Sequence, residues 1–252
     1  MLATVDSHHR AWASVITGEP GFIRVLDART LRLDSSPPAG DPLIENLVVE
    51  SHAALLAIDL LNPRRVRVNG RGIIKDGAIY IKTEQVYGNC RRYIQERILA
   101  GQRRTDADEN CTLRSSALSP AQQDQISKAD TFFIASDYPE RGADVSHKGG
   151  APGFVKVIDA HRLWFPDYNG NSMFNTLGNI TLSPGAGFLF IDFDSGRTLQ
   201  LAGTASIDWD PERVRKITGA ERIVDFRVEE VIDNRVGFAL LGRFRQASRF
   251  NP

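Results

Sequence analysis

The chain has 252 residues, with 31 basic and 31 acidic side chains and a hydrophobic fraction of 42%. This is the composition of an ordinary globular protein, and it excludes a disordered chain, a collagen-like chain and a coiled coil. The formal net charge of zero argues against binding of bulk nucleic acid through a general positive field, although it leaves room for a local phosphate pocket.

Cysteine content and hydropathy exclude further classes. The two cysteines, Cys90 and Cys111, are too few for a disulfide framework or a four-thiolate zinc site. The first residues lack the apolar core of a signal peptide, and no run reaches the roughly 18 apolar residues of a membrane span. The sequence therefore predicts a reduced protein of the cytoplasm that is not embedded in a membrane.

Short β-prone runs separated by Gly, Pro, Asn and Asp fill the first hundred residues. They predict strands at 11–15, 21–26, 55–59, 65–74 and 78–83. Asp76-Gly77, between the last two runs, indicates a hairpin turn. One helix is predicted within residues 41–50, and apolar residues at helical spacing predict another over residues 90–99.

The second half continues in the same way. The polar stretch 101–116 is predicted to be an exposed linker. Ser119 and Pro120 predict a short helix that ends at Lys128, because a hydroxyl cap followed by proline favours a helix start. Another helix is predicted within 172–180, and strands are predicted at 131–136, 153–158, 163–165, 187–192, 198–208 and 222–233. Strands at intervals of about 8–12 residues indicate antiparallel sheets closed into small barrels.

The two halves are related in sequence. Residues 18–31 align with 150–163 at an offset of 132, with eight of fourteen positions identical, and residues 55–59 align with 188–192 at an offset of 133. This register, which persists over more than 50 residues with a single gap, predicts two copies of one module. We predict a degenerate first module at 1–100, a polar linker with a short helix at 101–128, and a second module at 129–252.

Segments found in only one copy are candidates for function. Residues 144–150 of the second copy read Asp-Val-Ser-His-Lys-Gly-Gly, whereas residues 12–18 of the first read Trp-Ala-Ser-Val-Ile-Thr-Gly. A turn with a hydroxyl, a cation and two glycines suits a phosphate, because glycines let backbone N–H groups approach and lysine supplies charge. A polar turn with a solvated lysine is the alternative. The candidate residues are Ser146, His147, Lys148 and Gly149.

Two further segments are distinctive. Residues 166–179 are rich in neutral hydrogen-bonding side chains, including Asn171, Ser172, Asn175 and Thr176. Near a helix N-terminus such groups suit the oxygens of an anionic ligand, whereas the alternative is an ordinary capped turn. Residues 85–95 of the first copy form a polar turn before the predicted helix, with paired arginines, which suits either the edge of a ligand site or a capped surface helix.

These three segments together resemble the pyridoxamine 5′-phosphate oxidase-like, FMN-binding split-barrel proteins, in particular the branch with two such modules in one chain. The resemblance implies six-stranded antiparallel split barrels that pair face to face, with FMN in the groove between them. The partner of each barrel would be the other module, a second copy of the chain, or both. By resemblance, the residues lining FMN would be Ser146, His147, Lys148, Gly149, Asp167, Tyr168, Asn171, Ser172, Asn175, Thr176, Asn89, Cys90 and Arg92.

The function that this resemblance implies is transfer of electrons or hydride through FMN between a donor such as NAD(P)H and an unidentified small substrate. Arg91 departs from the family pattern, which often has proline after the Asn-Cys pair. The first module lacks the Ser-His-Lys-Gly-Gly segment, so we expect one FMN per chain. A non-enzymatic flavin-binding or storage protein and a haem-binding split barrel are the alternatives, although the five histidines show no distinctive haem-ligand signature. No side chain is assigned a catalytic role, and no metal site is expected.

Charge is segregated along the chain. Residues 62–75 hold five basic and no acidic residues, and residues 235–252 hold four basic and no acidic residues. Because the zero total conceals such patches, we expect some of them to bring the two modules, or two chains, together.

Overall fold

The computed structural model describes residues 1–35, 37, 39–100, 112–170, 172–234 and 241–252. Most of these residues lie in antiparallel strands, and the described part contains four short helices. The predicted fold class, a mainly β protein with a few short helices and two tandem antiparallel split barrels, is confirmed. No helix among the described residues is long and apolar enough to cross a membrane.

The first sheet has seven strands. In chain order its elements are β1 (Leu2–Val5), β2 (Ala11–Ser14), β3 (Ile23–Asp27), β4 (Thr30–Leu33), α1 (Pro42–Asn46), β5 (Ser51–Asp59), β6 (Arg64–Lys75) and β7 (Ala78–Asn89). The strands lie in the order β2-β1-β5-β6-β7-β4-β3. Asp76 and Gly77, both at positive φ, form the predicted two-residue turn between β6 and β7.

The second sheet has eight strands, of which seven lie along its main path. Its elements, with the short strands that flank it, are β8 (Glu96–Ala100), β9 (Thr112–Ser115), α2 (Pro120–Lys128), β10 (Thr131–Tyr138), β11 (Gly142–Gly149), β12 (Lys156–Val157), β13 (Arg162–Tyr168), α3 (Asn175–Leu182), β14 (Gly185–Ile191), β15 (Thr198–Asp208), α4 (Pro211–Val214), β16 (Ala220–Asn234) and β17 (Leu241–Gln246). The order is β11-β10-β14-β15-β16-β13-β12; β9 adds to β16, and β8 pairs with β17. Ser119 begins α2 with a capping box, as its sequence predicts.

The two sheets have the same strand order, position for position. The register agrees as well, since Leu2 pairs with Ser14 as Ile134 pairs with Ser146. A residue of β1 to β6 therefore has a structural counterpart 132 or 133 positions later. The offset is larger in β7, since Asn89 pairs with Arg65 as Asn234 pairs with Thr198. The domain boundaries stay a prediction, but the repeat in the sequence is also a repeat in strand order and pairing.

The sheets pack face to face within one chain. β1, β2 and β5 of the first sheet contact β10, β11 and β14 of the second through one cluster of buried apolar side chains. Its members include Ala3, Ala54, Leu56, Ile94, Phe133, Val145 and Leu189. Fully burying a large apolar side chain contributes about 1.5–3 kcal/mol, so this cluster holds the two halves together.

Two predictions about residues 90–116 are wrong. Residues 90–99 are not a helix, because Tyr93 has a φ of 65° and β8 begins at Glu96. The side chain of Gln95 is bound instead by Asn251, so a tertiary contact overrides the helical spacing. Part of the predicted linker, Thr112–Ser115, is a strand paired with β16. Residues 101–111, including Cys111, lie outside the described residues.

Candidate functional site

A cleft opens between the two halves, where β6 and the end of β7 face β11, β13 and the start of α3. Its walls come from both sheets, so no single module contains the whole site. Four cationic side chains and two carboxylates line it, namely Arg65, Arg67, Lys148, Arg222, Asp167 and Glu221. The lining therefore carries a positive formal charge.

The Ser-His-Lys-Gly segment is strand β11 rather than the predicted turn. It is paired along its whole length with β10, which holds its polar residues in an extended conformation. Because successive side chains alternate in a strand, Ser146 and Lys148 point to one face and His147 to the other. A side chain at Gly149 would collide with the carbonyl oxygen of Tyr93, so glycine permits this close approach of backbone to backbone.

Arg67 of β6 ties the first sheet to the second at the base of the cleft. Its Nη2 donates to Ser146 Oγ at 2.6 Å, and its Nη1 lies 3.1 Å from an oxygen of Asp144. Both side chains of this ion pair are buried, with relative exposures of 6% and 3%. Loss of either partner would leave a buried unpaired charge, which is strongly destabilising. The two side chains are therefore constrained to remain in contact. The pair therefore fixes Ser146.

The side chains at the start of α3 serve the site rather than the helix. No side chain caps α3 at its N-terminus. Asn175 Nδ2 donates to Tyr87 Oη at 2.7 Å, and the hydroxyl of Thr176 lies 2.8 Å from that of Ser146. The alternative of an ordinary capped turn therefore does not hold for these two residues.

Arg65 and His147 form a second contact across the interface, in which His147 is buried and Arg65 is partly buried. Arg65 Nη1 lies 3.0 Å from His147 Nδ1. A guanidinium can only donate, so Nδ1 accepts and the neutral ring carries its proton on Nε2. Burial, reinforced by Arg65, holds the pKa of His147 well below its usual value, so the ring is neutral at neutral pH.

Arg65 keeps its charge without a carboxylate. Burial, and then the nearby charge of Arg67, lowers the pKa of Arg65 to about 10, which leaves it protonated near neutrality. Within the described part of the chain no Asp or Glu forms an ion pair with it. A buried cation without a counter-charge is costly, and an anionic ligand would supply that counter-charge.

Lys148 is not a solvated turn lysine. Its Nζ lies 2.7 Å from one oxygen of Asp167, and Arg222 Nη1 lies 2.7 Å from the other. The carboxylate therefore sits between two cations, and Arg222 also contacts Glu221 at 3.0 Å. This arrangement positions Lys148 at the wall, and the two cations of the cluster are balanced by its two carboxylates.

The segment after β7 forms the rim of the cleft, as its sequence suggested. The rings of Tyr93 and Tyr168 lie 5.4 Å apart between centroids, and Tyr93 Oη donates to the carbonyl of Asn169 at 2.7 Å. Arg92 Nη1 donates to Asn169 Oδ1 at 2.6 Å. The first module thus closes over the loop that follows β13.

The predicted site residues fall into three groups. Those that line the cleft are Ser146, His147, Lys148, Gly149, Asp167, Tyr168, Ser172, Thr176 and Asn89. Asn175, Cys90 and Arg92 lie beside the cleft without lining it, and Cys90 is half-buried. Asn171 lies outside the described residues. Their role as ligand contacts stays a prediction.

Sequence reasoning missed Arg65, Arg67 and Arg222 as site residues. Arg65 and Arg67 belong to the basic run at 62–75, which was interpreted as a contact between modules or chains. That run was the available signal. Both arginines do cross the interface between the modules, and there they line the cleft.

The polar groups of the cleft fit FMN. Buried polar atoms in native proteins are normally hydrogen-bonded, yet several atoms around this site have no partner among the described residues. They are Arg65 Nε, Arg67 Nε, His147 Nε2, Asn69 Oδ1 and Asn89 Oδ1. A charged donor set with hydroxyls and amides suits a ligand that combines a phosphate with a polar ring system. In the described residues, no group of three or more His, Cys, Asp or Glu side chains is placed to hold a metal ion.

The counterpart of this site in the first module is filled. Trp12 stands at the position of Asp144 and packs against Ala202 and Ile232. Ser14 donates to Asp41 Oδ1 at 2.6 Å, and Gln200 Nε2 lies 3.2 Å from Asp41 Oδ2. Burial raises the pKa of Asp41 to about 6. Side chains therefore occupy the space that remains open in the other half.

No family model and no curated protein matches the sequence. Similar solved structures include a pyridoxamine 5′-phosphate oxidase-like protein of Lactobacillus delbrueckii, with 18% identity, coverage of 48% of this chain and 97% of its own, and a TM-score of 0.40. HupZ of Group A Streptococcus has 12% identity, coverage of 48% and 96%, and a TM-score of 0.39. An FMN-binding protein of Syntrophomonas wolfei has 9% identity, coverage of 44% and 84%, and a TM-score of 0.32. Each of these structures spans about half of this chain.

Proposed function

We propose that the chain is an FMN-binding oxidoreductase that holds one FMN in the cleft between its two modules. The observation that carries the proposal is Arg65, a partly buried guanidinium with a buried Nε, which has a neutral histidine for a neighbour and no carboxylate partner in the described chain. A phosphate is the natural counter-charge for such a group, because charge-assisted N–H···O bonds are strong and bidentate with arginine.

The surrounding residues would hold the rest of the ligand. Arg67, Ser146 and Thr176 present donors from both sheets at the base of the cleft. Asn89 and His147 add buried polar atoms without partners in the described residues. With Nδ1 accepting from Arg65, the His147 Nε2–H is a donor, so it would bind an acceptor atom and would not serve as a base.

FMN, when bound, supplies transfer of hydride or of single electrons, and the protein supplies orientation, charge and exclusion of water. We propose a reduced nicotinamide dinucleotide as the donor and a small molecule as the substrate. Flavin storage without turnover and haem binding remain the competing functions, and the experiments below separate them.

The first test is the absorbance spectrum of the purified protein, with mass spectrometry of the released ligand. A yellow protein that releases FMN, is bleached by NADH or NADPH and turns over supports the proposal. Stable colour without turnover under any donor would assign the chain to flavin storage. A Soret band after addition of haem, with no flavin bound, would assign it to haem binding.

The second test is Lys148→Glu. We expect this variant to lose FMN, because it places a negative charge against Asp167 and against the phosphate. Arg222 still neutralises Asp167, so the fold should remain intact by circular dichroism. Lys82→Glu, on the exposed face of β7, is the matched control and should keep its flavin. A Lys148→Glu protein as yellow as the parent would place the site elsewhere.

A further inference from the structure

Two shallow grooves continue from the cleft along the first module. The nearer groove is lined by residues 62–66, Asn89 and Arg91, so it shares Arg65 and Asn89 with the cleft. The farther groove shares Pro63 and Arg91 with the nearer one and runs along residues 246–250. Together they form a continuous path from the cleft to the last residues of the chain.

Three exposed arginines line this path. Arg64, Arg91 and Arg249 are exposed, and in the described ranges no carboxylate forms an ion pair with any of them. Among other exposed arginines, Arg215 is paired with a glutamate, whereas Arg29 and Arg141 have no ion pair in the described ranges, so the three are distinguished by their place beside the cleft. We call Arg64, Arg91 and Arg249 the arginine rim.

Two acidic groups lie near the rim, and Asp59, which is paired across the strands with Arg64, interacts with it electrostatically. Asp59 accepts the backbone N–H groups of Leu61 and Asn62 at 2.9 and 3.0 Å. Glu96 lies 3.7 Å from Arg245. The path is therefore a positive surface next to the cleft, although the chain as a whole has a formal charge of zero.

Hydrogen bonds and ring contacts hold residues 248–251 in place, so Arg249 has a defined position in the rim. Ser248 Oγ accepts from the backbone N–H of Tyr93 at 3.2 Å, and the backbone N–H of Ser248 donates to Gln95 Oε1 at 2.9 Å. The ring of Phe250 lies between two guanidinium groups, with Arg92 Cζ at 5.5 Å and Arg249 Cζ at 5.0 Å from its centroid. These contacts fix Arg249 against the segment that carries Arg91.

We propose that the arginine rim binds the phosphate groups of a 2′-phosphorylated nicotinamide dinucleotide whose nicotinamide end reaches the cleft, an inference that rests on the proposed function. A phosphate monoester carries about −1.5 to −2 charges at pH 7, and arginine is the side chain best suited to bind it. In this molecule the nicotinamide ring lies at one end, the pyrophosphate lies in the middle, and the 2′-phosphate lies on the ribose at the other end. The rim therefore selects the phosphorylated dinucleotide over the unphosphorylated one.

The experiment measures binding of 2′,5′-ADP and of 5′-AMP to the purified protein by isothermal titration calorimetry. The variant is Arg91→Gln with Arg249→Gln, and the matched control is Arg29→Gln, an exposed arginine in the turn after β3. We expect 2′,5′-ADP to bind at least tenfold more tightly than 5′-AMP. The double variant should lose at least tenfold in affinity for 2′,5′-ADP, whereas Arg29→Gln should match the parent.

Equal affinity for the two nucleotides, no binding of 2′,5′-ADP, or the same loss in Arg29→Gln would overturn the inference. Binding of a single-stranded oligonucleotide that depends on the two arginines, without preference for a 2′-phosphate, would assign the rim to another partner and overturn it too. FMN content is read separately from the visible absorbance of the flavin. A protein that binds 2′,5′-ADP but no FMN would contradict the proposed function, whereas the assignment of the arginine rim as a phosphate-binding surface would still hold.

Discussion

The two interfacial sites of this chain have matching backbones and opposite chemistry. Strand order and register coincide, so each residue of one site has a counterpart in the other. Where the open site has His147, Lys148, Arg65 and Arg67, the filled site has Val15, Ile16, Thr198 and Gln200. All four replacements are uncharged and buried. The cleft therefore depends on a few charged side chains, and the shared fold alone does not create it.

The filled site retains part of the same polar arrangement. Ser14 and Ser146 occupy equivalent positions, and each hydroxyl lies near a buried carboxylate. Asp144 is paired with Arg67, whereas the side chains that bond Asp41 within the described ranges, Ser14 and Gln200, are neutral. The difference explains why burial raises the pKa of Asp41, since no buried cation offsets its desolvation.

The largest expected effect tests whether Trp12 fills the first site. Trp12→Ala should lower the free energy of unfolding by about 3–5 kcal/mol, because the side chain is fully buried and leaves a cavity. Urea denaturation measures this change. Trp209→Ala, at a residue 65% exposed, is the control and should cost about 1 kcal/mol or less.

The same variant tests what an FMN site requires. If the cationic side chains of the open site are required to bind FMN, the Trp12→Ala protein should contain a cavity in the filled site but should not bind a second FMN. Two FMN molecules per Trp12→Ala chain would show that steric filling alone separates the two sites.

The second largest expected effect is the contribution of Asp41 to the pH dependence of the unfolding free energy. Its pKa in the folded chain, about 6, lies above the ordinary value of 3.8. Between pH about 4 and 6 the unfolded chain ionises first, so this group lowers stability as pH rises, by up to about 3 kcal/mol above pH 6. Asp41→Asn should remove that fall.

The measurement is the difference in unfolding free energy between variant and parent at several pH values. The exposed Asp124→Asn is the control and should show no such trend. An Asp41→Asn difference that stays constant from pH 4 to 7 would mean that the carboxyl is not held protonated.

The smallest expected effect is a change in FMN affinity when one residue of the open site is replaced by its counterpart in the filled site. Arg65→Thr places the residue of the filled site in the open one, and we expect the Kd for FMN to rise about 10–100-fold, or roughly 1.4–2.8 kcal/mol. Quenching of FMN fluorescence measures the Kd. Arg71→Thr, in the same strand but paired with Glu50, should bind as the parent does. An unchanged Kd in Arg65→Thr would remove Arg65 from the site.

Much of the fold follows from local sequence signals. The internal repeat predicts the duplicated sheet, Asp76-Gly77 predicts its hairpin, and Ser119 predicts the start of α2. These features depend on a few neighbouring residues, which is why the sequence reveals them. Residues 90–99 fail as a helix because their conformation depends on contacts with residues 248–251.

The site was less predictable, because its two walls come from different modules. Ser146 and Lys148 stand out in the sequence, but glycines and polar residues suggested a turn where pairing with β10 makes a strand. Arg65 and Arg67 lie about 80 positions away, as the separations of 82 and 79 in their contacts show, and only the pairing of the two sheets brings them to the cleft. Local patterns contain no information on that pairing.

The most direct test is the number of FMN molecules bound per chain, measured by native mass spectrometry and by equilibrium titration. We predict that one FMN binds per chain, that it lies in the cleft, and that Lys148→Glu loses it. Two FMN molecules per chain, or one that persists in both Lys148→Glu and Arg65→Thr, would contradict the assignment of one open and one filled site.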